Sequence, residues 1–161
     1  MDATDLAALE RILSSSLPAH PTLKVGHLPN GLRYVFLRNK TPPQRFEAHL
    51  EMHAGSVDER EDEQGIAHLV EHVTFLGSRK REQLLGTGVR SNAYTDFHHT
   101  VFHFHAPSTN VATGKSMLPS VLDALAEIAF EPEFSHERIE KERKAVLAEV
   151  RTMEREGYSI V

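Results

Sequence analysis

His68-Leu69-Val70-Glu71-His72 places two histidines four residues apart, with a glutamate directly before the second. On a helix, residues four apart share one face, and Glu71, three after His68, lies beside them. Two imidazoles on one face can hold a metal ion while a neighbouring carboxylate moves protons. The order inverts the commoner His-Glu-x-x-His arrangement. The same residues also permit a plainer reading, a solvated polar helix face with an ion pair four apart.

The flanks give the motif its setting. Gly65 to Leu76 reads as the helix that carries it, with Ile66, Leu69, Val70 and Val73 as an apolar stripe. His68, Glu71, His72 and Phe75 project from a different face. Upstream, Phe46, Ala48, Leu50 and Met52 alternate with Glu47, His49, Glu51 and His53, the period of a strand with one buried face. Before it, Leu23 to Leu37 reads as a β-hairpin turning at Asn30-Gly31. Val57 to Gln64 is acidic and reads as a surface segment. Leu6 to Ser14 reads as a short, loosely attached amphipathic helix.

Downstream, Ser78 to Arg81 reads as a basic turn and Gly86-Thr87-Gly88 as a flexible one. Ser91 to Asp96 and His99 to Ala106 read as two strands around a turn. His99, His103 and His105 share one strand face. No carboxylate stands at helical or strand spacing to complete a metal site there, so these histidines read as a half-exposed face. Leu118 to Phe130 reads as a helix. A last helix starts near Ser135, a suitable N-cap.

In that last helix Ile139, Val146, Val150 and Met153 form a stripe, and Glu142 and Glu149 fall inside it, two helical turns apart. Carboxylates in an apolar stripe need a cation or donors, because burying them alone costs several kcal/mol. A catalytic zinc site needs three protein ligands and an open position. His68 and His72 supply two ligands and Glu149 is the natural third. Glu71 then remains free to act as base, and Glu142 to orient a ligand histidine through its other ring nitrogen.

Composition narrows the alternatives. The 161 residues suffice for one domain with a sizeable core, and 40% hydrophobic with 25% charged residues is ordinary for a globular protein. The formal charge of -5 argues against broad nucleic-acid binding. No apolar run approaches a membrane span. Cysteine is absent, so a zinc site must use histidine and carboxylate. The whole chain reads as one α+β domain.

The spacing of His68, Glu71, His72, Glu142 and Glu149 resembles the insulysin/pitrilysin family of zinc metallopeptidases. Leu28-Pro29-Asn30-Gly31-Leu32, Gly55-Ser56 and Asn92-Ala93-Tyr94-Thr95 resemble further family features. Gly65 to Ala106 looks most like a chloroplast branch of it. The resemblance implies a mixed or antiparallel sheet with helices packed on one side. It implies one zinc ion per chain on His68, His72 and Glu149, with Glu71 as base and Glu142 in support. It implies an endopeptidase acting on extended polypeptides, which add as a strand beside Ser91, Asn92, Ala93, Tyr94 and Thr95. The chloroplast likeness implies removal of transit peptides from basic precursors in the stroma.

Family members are longer, with further domains that close over the substrate. The chain is therefore expected to comprise a loose segment over residues 1–22 and a truncated catalytic domain over 23–161. It is expected to need the remainder of the protein as its closing half, and to bind zinc with little proteolysis alone. Two other classes stay open. One is a non-catalytic relative serving as a structural or substrate-binding subunit. The other is a histidine-rich metal-binding protein, which gives no reason for Glu71, Glu142 or Glu149.

Overall fold

The computed structural model describes residues 20–155. The expected helix at Leu6 to Ser14 lies outside the described residues, as does most of the expected loose segment. The chain forms two compact units, Met1–Lys40 and Thr41–Val161.

In the first unit, β1 (Leu23–His27) and β2 (Arg33–Leu37) pair antiparallel, with Leu23 opposite Leu37 and His27 opposite Arg33. The connection bends at Leu28 to Gly31, where the Gly31 N–H donates to the Leu28 carbonyl at 2.9 Å. Gly31 sits at φ +88°, a region open to glycine and strained for other residues. Every side chain of β2 is exposed.

The second unit carries a three-stranded antiparallel sheet in the order β3-β5-β4, from β3 (Arg45–Met52), β4 (Arg90–Thr95) and β5 (Thr100–Pro107). Its helices are α1 (Ile66–Gly77), α2 (Arg79–Glu82), α3 (Leu118–Phe130) and α4 (His136–Arg155). The expected α+β class and antiparallel pairing are what the chain forms. One sheet face supplies the core. Phe102, Phe104 and Ala106 of β5, flanked by part-buried Phe46, Ala48, Leu50 and Ala93, meet Phe75 of α1 and Val121, Ala124, Leu125 and Ile128 of α3. The other face turns Glu47, His49, Glu51, Tyr94 and His103 away from that core.

Two expectations are corrected. The apolar stripe of α1 is only partly core-facing: Val73 is buried, but Ile66 and Val70 are 46% and 42% exposed, while Glu71, Thr74 and Phe75 from outside the stripe are buried. The helix is covered by α4 along its histidine side and by the sheet along its Phe75 side. The segment at Ser78 to Arg81 is not a solvated turn. It opens α2, with the Ser78 hydroxyl accepting from the Arg81 N–H at 3.0 Å.

The motif helix is held at both ends. Gly65 precedes α1 at φ +91°, and the Glu59 carboxylate accepts from the N–H groups of Gly65 and Ala67 at 2.8 and 2.7 Å. A carboxylate there satisfies orphan donors and complements the helix dipole. The acidic segment thus contributes a cap to the motif helix. At the other end Arg81 Nε donates to the Phe75 carbonyl at 2.9 Å, and an Arg138 nitrogen to that of Leu76 at 3.3 Å.

Glu127 of α3 secures the same corner, accepting from the Ser78 hydroxyl and from the Lys80 N–H at 2.9 Å. Burial pushes its carboxyl up, but these two hydrogen bonds outweigh burial and hold it below the usual range. A group whose folded pKa is depressed stabilises the fold above its unfolded pKa. That contribution fades as pH falls through the folded value. Glu127→Gln should therefore lower stability by about 1 kcal/mol at neutral pH. It should also flatten the acid limb of a pH–stability curve below about pH 4.5. Parallel limbs in wild type and variant would refute this role.

Candidate metal centre

The motif histidines leave α1 on the side that α4 covers. Their rings stand edge to face, with centroids 4.7 Å apart. From α4, Glu149 reaches both: its Oε2 lies 3.6 Å from His68 Nε2 and 3.6 Å from His72 Nε2. The predicted ligand set, His68, His72 and Glu149, thus offers three donor atoms within 4.8 Å of one another. Tetrahedral zinc with bonds of about 2.0–2.1 Å separates its ligand atoms by roughly 3.3 Å, close to this spacing.

Glu142 stands two turns earlier on α4 and is 2% exposed. Its Oε2 lies 3.7 Å from His72 Nδ1, and Lys141 Nζ lies 3.5 Å from its Oε1. His72 Nδ1 and Glu142 Oε1 are both buried without a hydrogen bond. A buried carboxylate so placed is costly unless the local charge is balanced. His72 thus turns Nδ1 to one carboxylate and Nε2 to another. This is the posture of a ligand imidazole oriented by its far nitrogen. Three carboxylates, Glu71, Glu142 and Glu149, surround the two imidazoles, a donor set suited to a divalent cation. Glu149 is not buried as its stripe position suggested: its side chain is 49% exposed, because α4 turns that end toward solvent.

Glu71 is 6% exposed and sits between the histidines and the sheet. Burial pushes its carboxyl above the ordinary value, against the pull of His72 and of a hydrogen bond from the Thr95 hydroxyl at 3.4 Å. Thr95 in turn stands 3.3 Å from the Thr100 hydroxyl, which donates to the Ala54 carbonyl at 3.0 Å. This chain of hydroxyls ties Glu71 to the end of β4, a link that sequence spacing does not display. His68 is held below its ordinary pKa, first by burial and then by His72, against the opposing effect of Glu149. Both causes favour the neutral imidazole that metal ligation requires.

The predicted substrate edge, Ser91, Asn92, Ala93, Tyr94 and Thr95, lies on β4, one of the two outer strands of the three-stranded sheet among the described residues. Its last residue, Thr95, reaches Glu71, so the strand runs up to the predicted base.

A second histidine group was missed. Glu51, His53 and His99 also offer three donor atoms within 4.8 Å of one another. Glu51 and His53 stand two apart at the end of β3, but His99 comes from the turn before β5, so no spacing within one element could reveal the trio. The histidines of β5 meet a second carboxylate in the same way, with His105 Nδ1 3.1 Å from Glu47 Oε1.

The sequence matches the insulinase family (peptidase family M16) over residues 34–161. It is 62% identical over 152 residues to a chloroplastic stromal processing peptidase of Oryza sativa subsp. indica, covering 94% of this chain and 12% of that protein. It is 61% identical over 156 residues to the chloroplastic stromal processing peptidase of Arabidopsis thaliana, covering 97% and 12%. The chain thus spans about an eighth of the length of these relatives. Among solved structures, the first half of the periplasmic protease PqqL from Escherichia coli superimposes with a TM-score of 0.73 at 29% identity, covering 86% of this chain and 31% of that one. Fold and sequence agree, and the chain belongs to the insulinase family of peptidases.

Proposed function

We propose that this chain carries the catalytic centre of a zinc-dependent metalloendopeptidase. One observation carries the reading: Nε2 of His68, Nε2 of His72 and Oε2 of Glu149 converge, with buried Glu71 and Glu142 beside them. His68, His72 and Glu149 would hold the ion. Bound zinc supplies Lewis acidity, polarising a carbonyl and lowering the pKa of a water. Glu71 accepts a proton from the attacking water and delivers it to the departing amine nitrogen. Thr95 positions Glu71 through its hydroxyl. Glu142 holds the His72 ring so that Nε2 points to the other donors. An extended polypeptide lies along β4, its backbone pairing with Ser91 to Thr95.

The names of the rice and Arabidopsis relatives support a finer reading, removal of transit peptides from precursors in the chloroplast stroma. The rest of such a protein would then close over the substrate. The buried Glu71 favours a catalytic role over a purely structural subunit, because a structural helix gains nothing from a carboxylate there.

The test is metal content. The purified chain should carry a tightly held zinc ion on this set that a strong chelator removes. A chain that takes up no zinc here at micromolar concentration would overturn the assignment. Glu142→Gln refines it. The amide is nearly isosteric and removes a buried charge, so the metal-free fold should be no less stable. Zinc affinity should nevertheless fall roughly 10–100-fold, the usual cost of losing an orienting partner. Unchanged affinity would remove Glu142 from the site.

A further inference from the structure

We propose that Glu51, His53 and His99 form a second site, for a divalent transition-metal ion of the zinc class, on the sheet face away from the core. Glu51 Oε1 lies 3.5 Å from His99 Nε2 and 4.0 Å from His53 Nε2. The two rings stand edge to face with centroids 5.2 Å apart. Two imidazole nitrogens and one carboxylate oxygen make a zinc-type donor set, near the separation of roughly 3.3 Å that tetrahedral coordination requires.

A second observation comes from the other side of the His99 ring. Asp96 Oδ1 accepts from the N–H groups of His98 and His99 at 2.8 and 2.7 Å, which fixes the turn. The same oxygen lies 3.6 Å from His99 Nδ1. His99 therefore turns Nδ1 to one carboxylate and Nε2 to another. His72 does the same between Glu142 and Glu149, at 3.7 and 3.6 Å. Metal-ligating histidines almost always have the far ring nitrogen turned to such a partner, and His99 meets that condition. The rest of the face lacks this arrangement. Glu47 divides its two oxygens between His105 and His49, at 3.1 and 3.6 Å, and among the described residues these do not form a trio with donor atoms within 4.8 Å of one another.

The site also has something to clamp. The Asp96 and Phe97 carbonyls accept from the N–H groups of Ser56 and Val57 at 3.1 and 2.9 Å. A Cβ on Gly55 would meet the Asp96 carbonyl oxygen at 2.4 Å, so this crossing is already close. An ion on Glu51, His53 and His99 would pin the end of β3 to the turn that opens β5. The side chains are 53%, 80% and 36% exposed, so the ion would exchange freely and bind more weakly than at the buried centre.

The experiment is a zinc titration of the 161-residue chain against a chromophoric chelator, with histidine ring resonances followed by NMR. Wild type should bind two equivalents. His53→Ala and His99→Ala should each abolish the weaker one, and their exposure predicts an unchanged fold by circular dichroism. The rings of His53 and His99 should shift as that equivalent binds. An equivalent lost in His99→Ala but kept in Glu149→Gln supports this site whatever becomes of the buried one. A weaker equivalent that survives either alanine variant, or shifts confined to His49, His103 and His105, would overturn it.

Discussion

Glu149→Gln should lower the affinity of the tight zinc site by at least ~100-fold, beyond the upper end of what the loss of an orienting partner costs. The substitution keeps shape and removes charge. Glu149 Oε2 lies 3.6 Å from both ligand nitrogens, so one atom completes the set for both histidines. An amide oxygen there brings no negative charge to a divalent ion, and the two imidazoles are neutral. The fold should not notice. The side chain is 49% exposed and caps nothing, and such surface changes usually stay within about 0.5 kcal/mol. The prediction is therefore a separation: metal affinity falls while the unfolding midpoint of the metal-free chain holds. Zinc competition and denaturant melts on the same preparations measure both. Retained tight binding would mean that another group is the third ligand.

The sheet and the site were legible to different degrees, for physical reasons. Strand alternation reports which residues share a face, and β3 and β5 bury the expected Phe46, Ala48, Leu50, Phe102 and Phe104 side. Helix α3 runs over Leu118–Phe130 as its apolar spacing predicts, and the Ser135 hydroxyl accepts from the Arg138 N–H at the start of α4. The site residues were readable because each sits at helical spacing from another, and because Glu142 and Glu149 broke an apolar pattern.

What spacing could not supply is which element covers a face. Ile66 and Val70 look like core residues, yet α4 and the sheet approach α1 from other directions and leave them exposed. Glu59 caps α1 through a loop with no local signal beyond acidity. The Glu51, His53 and His99 group requires β3 to lie beside β5, about fifty residues later in the chain. Thr95 reaches Glu71 only because β4 ends beneath the motif helix.

Glu71→Gln should separate binding from chemistry in the opposite sense. Glu71 accepts a hydroxyl hydrogen bond from Thr95 but does not belong to the convergent trio of donors, so tight zinc binding should stay within about twofold of wild type. Proteolysis should fall by about 10²–10⁴, the contribution typical of a positioned general base. Glutamine keeps the volume and the Thr95 partner but cannot accept a proton at neutral pH. The measurement needs a context with turnover. A chimera with this chain in place of the matching segment of the 62%-identical rice relative provides one. Cleavage of an extended basic peptide and zinc content would be read on the same samples. A variant that cleaves at the parent rate would remove Glu71 as the base. A variant that loses its tight zinc would instead make Glu71 part of the metal shell. Thr95→Val supplies the graded control. It removes the hydroxyl at 3.4 Å and leaves the carboxylate, so turnover should drop less than in Glu71→Gln while zinc stays bound. That ordering follows from a base acting directly and a hydroxyl acting only by orienting it.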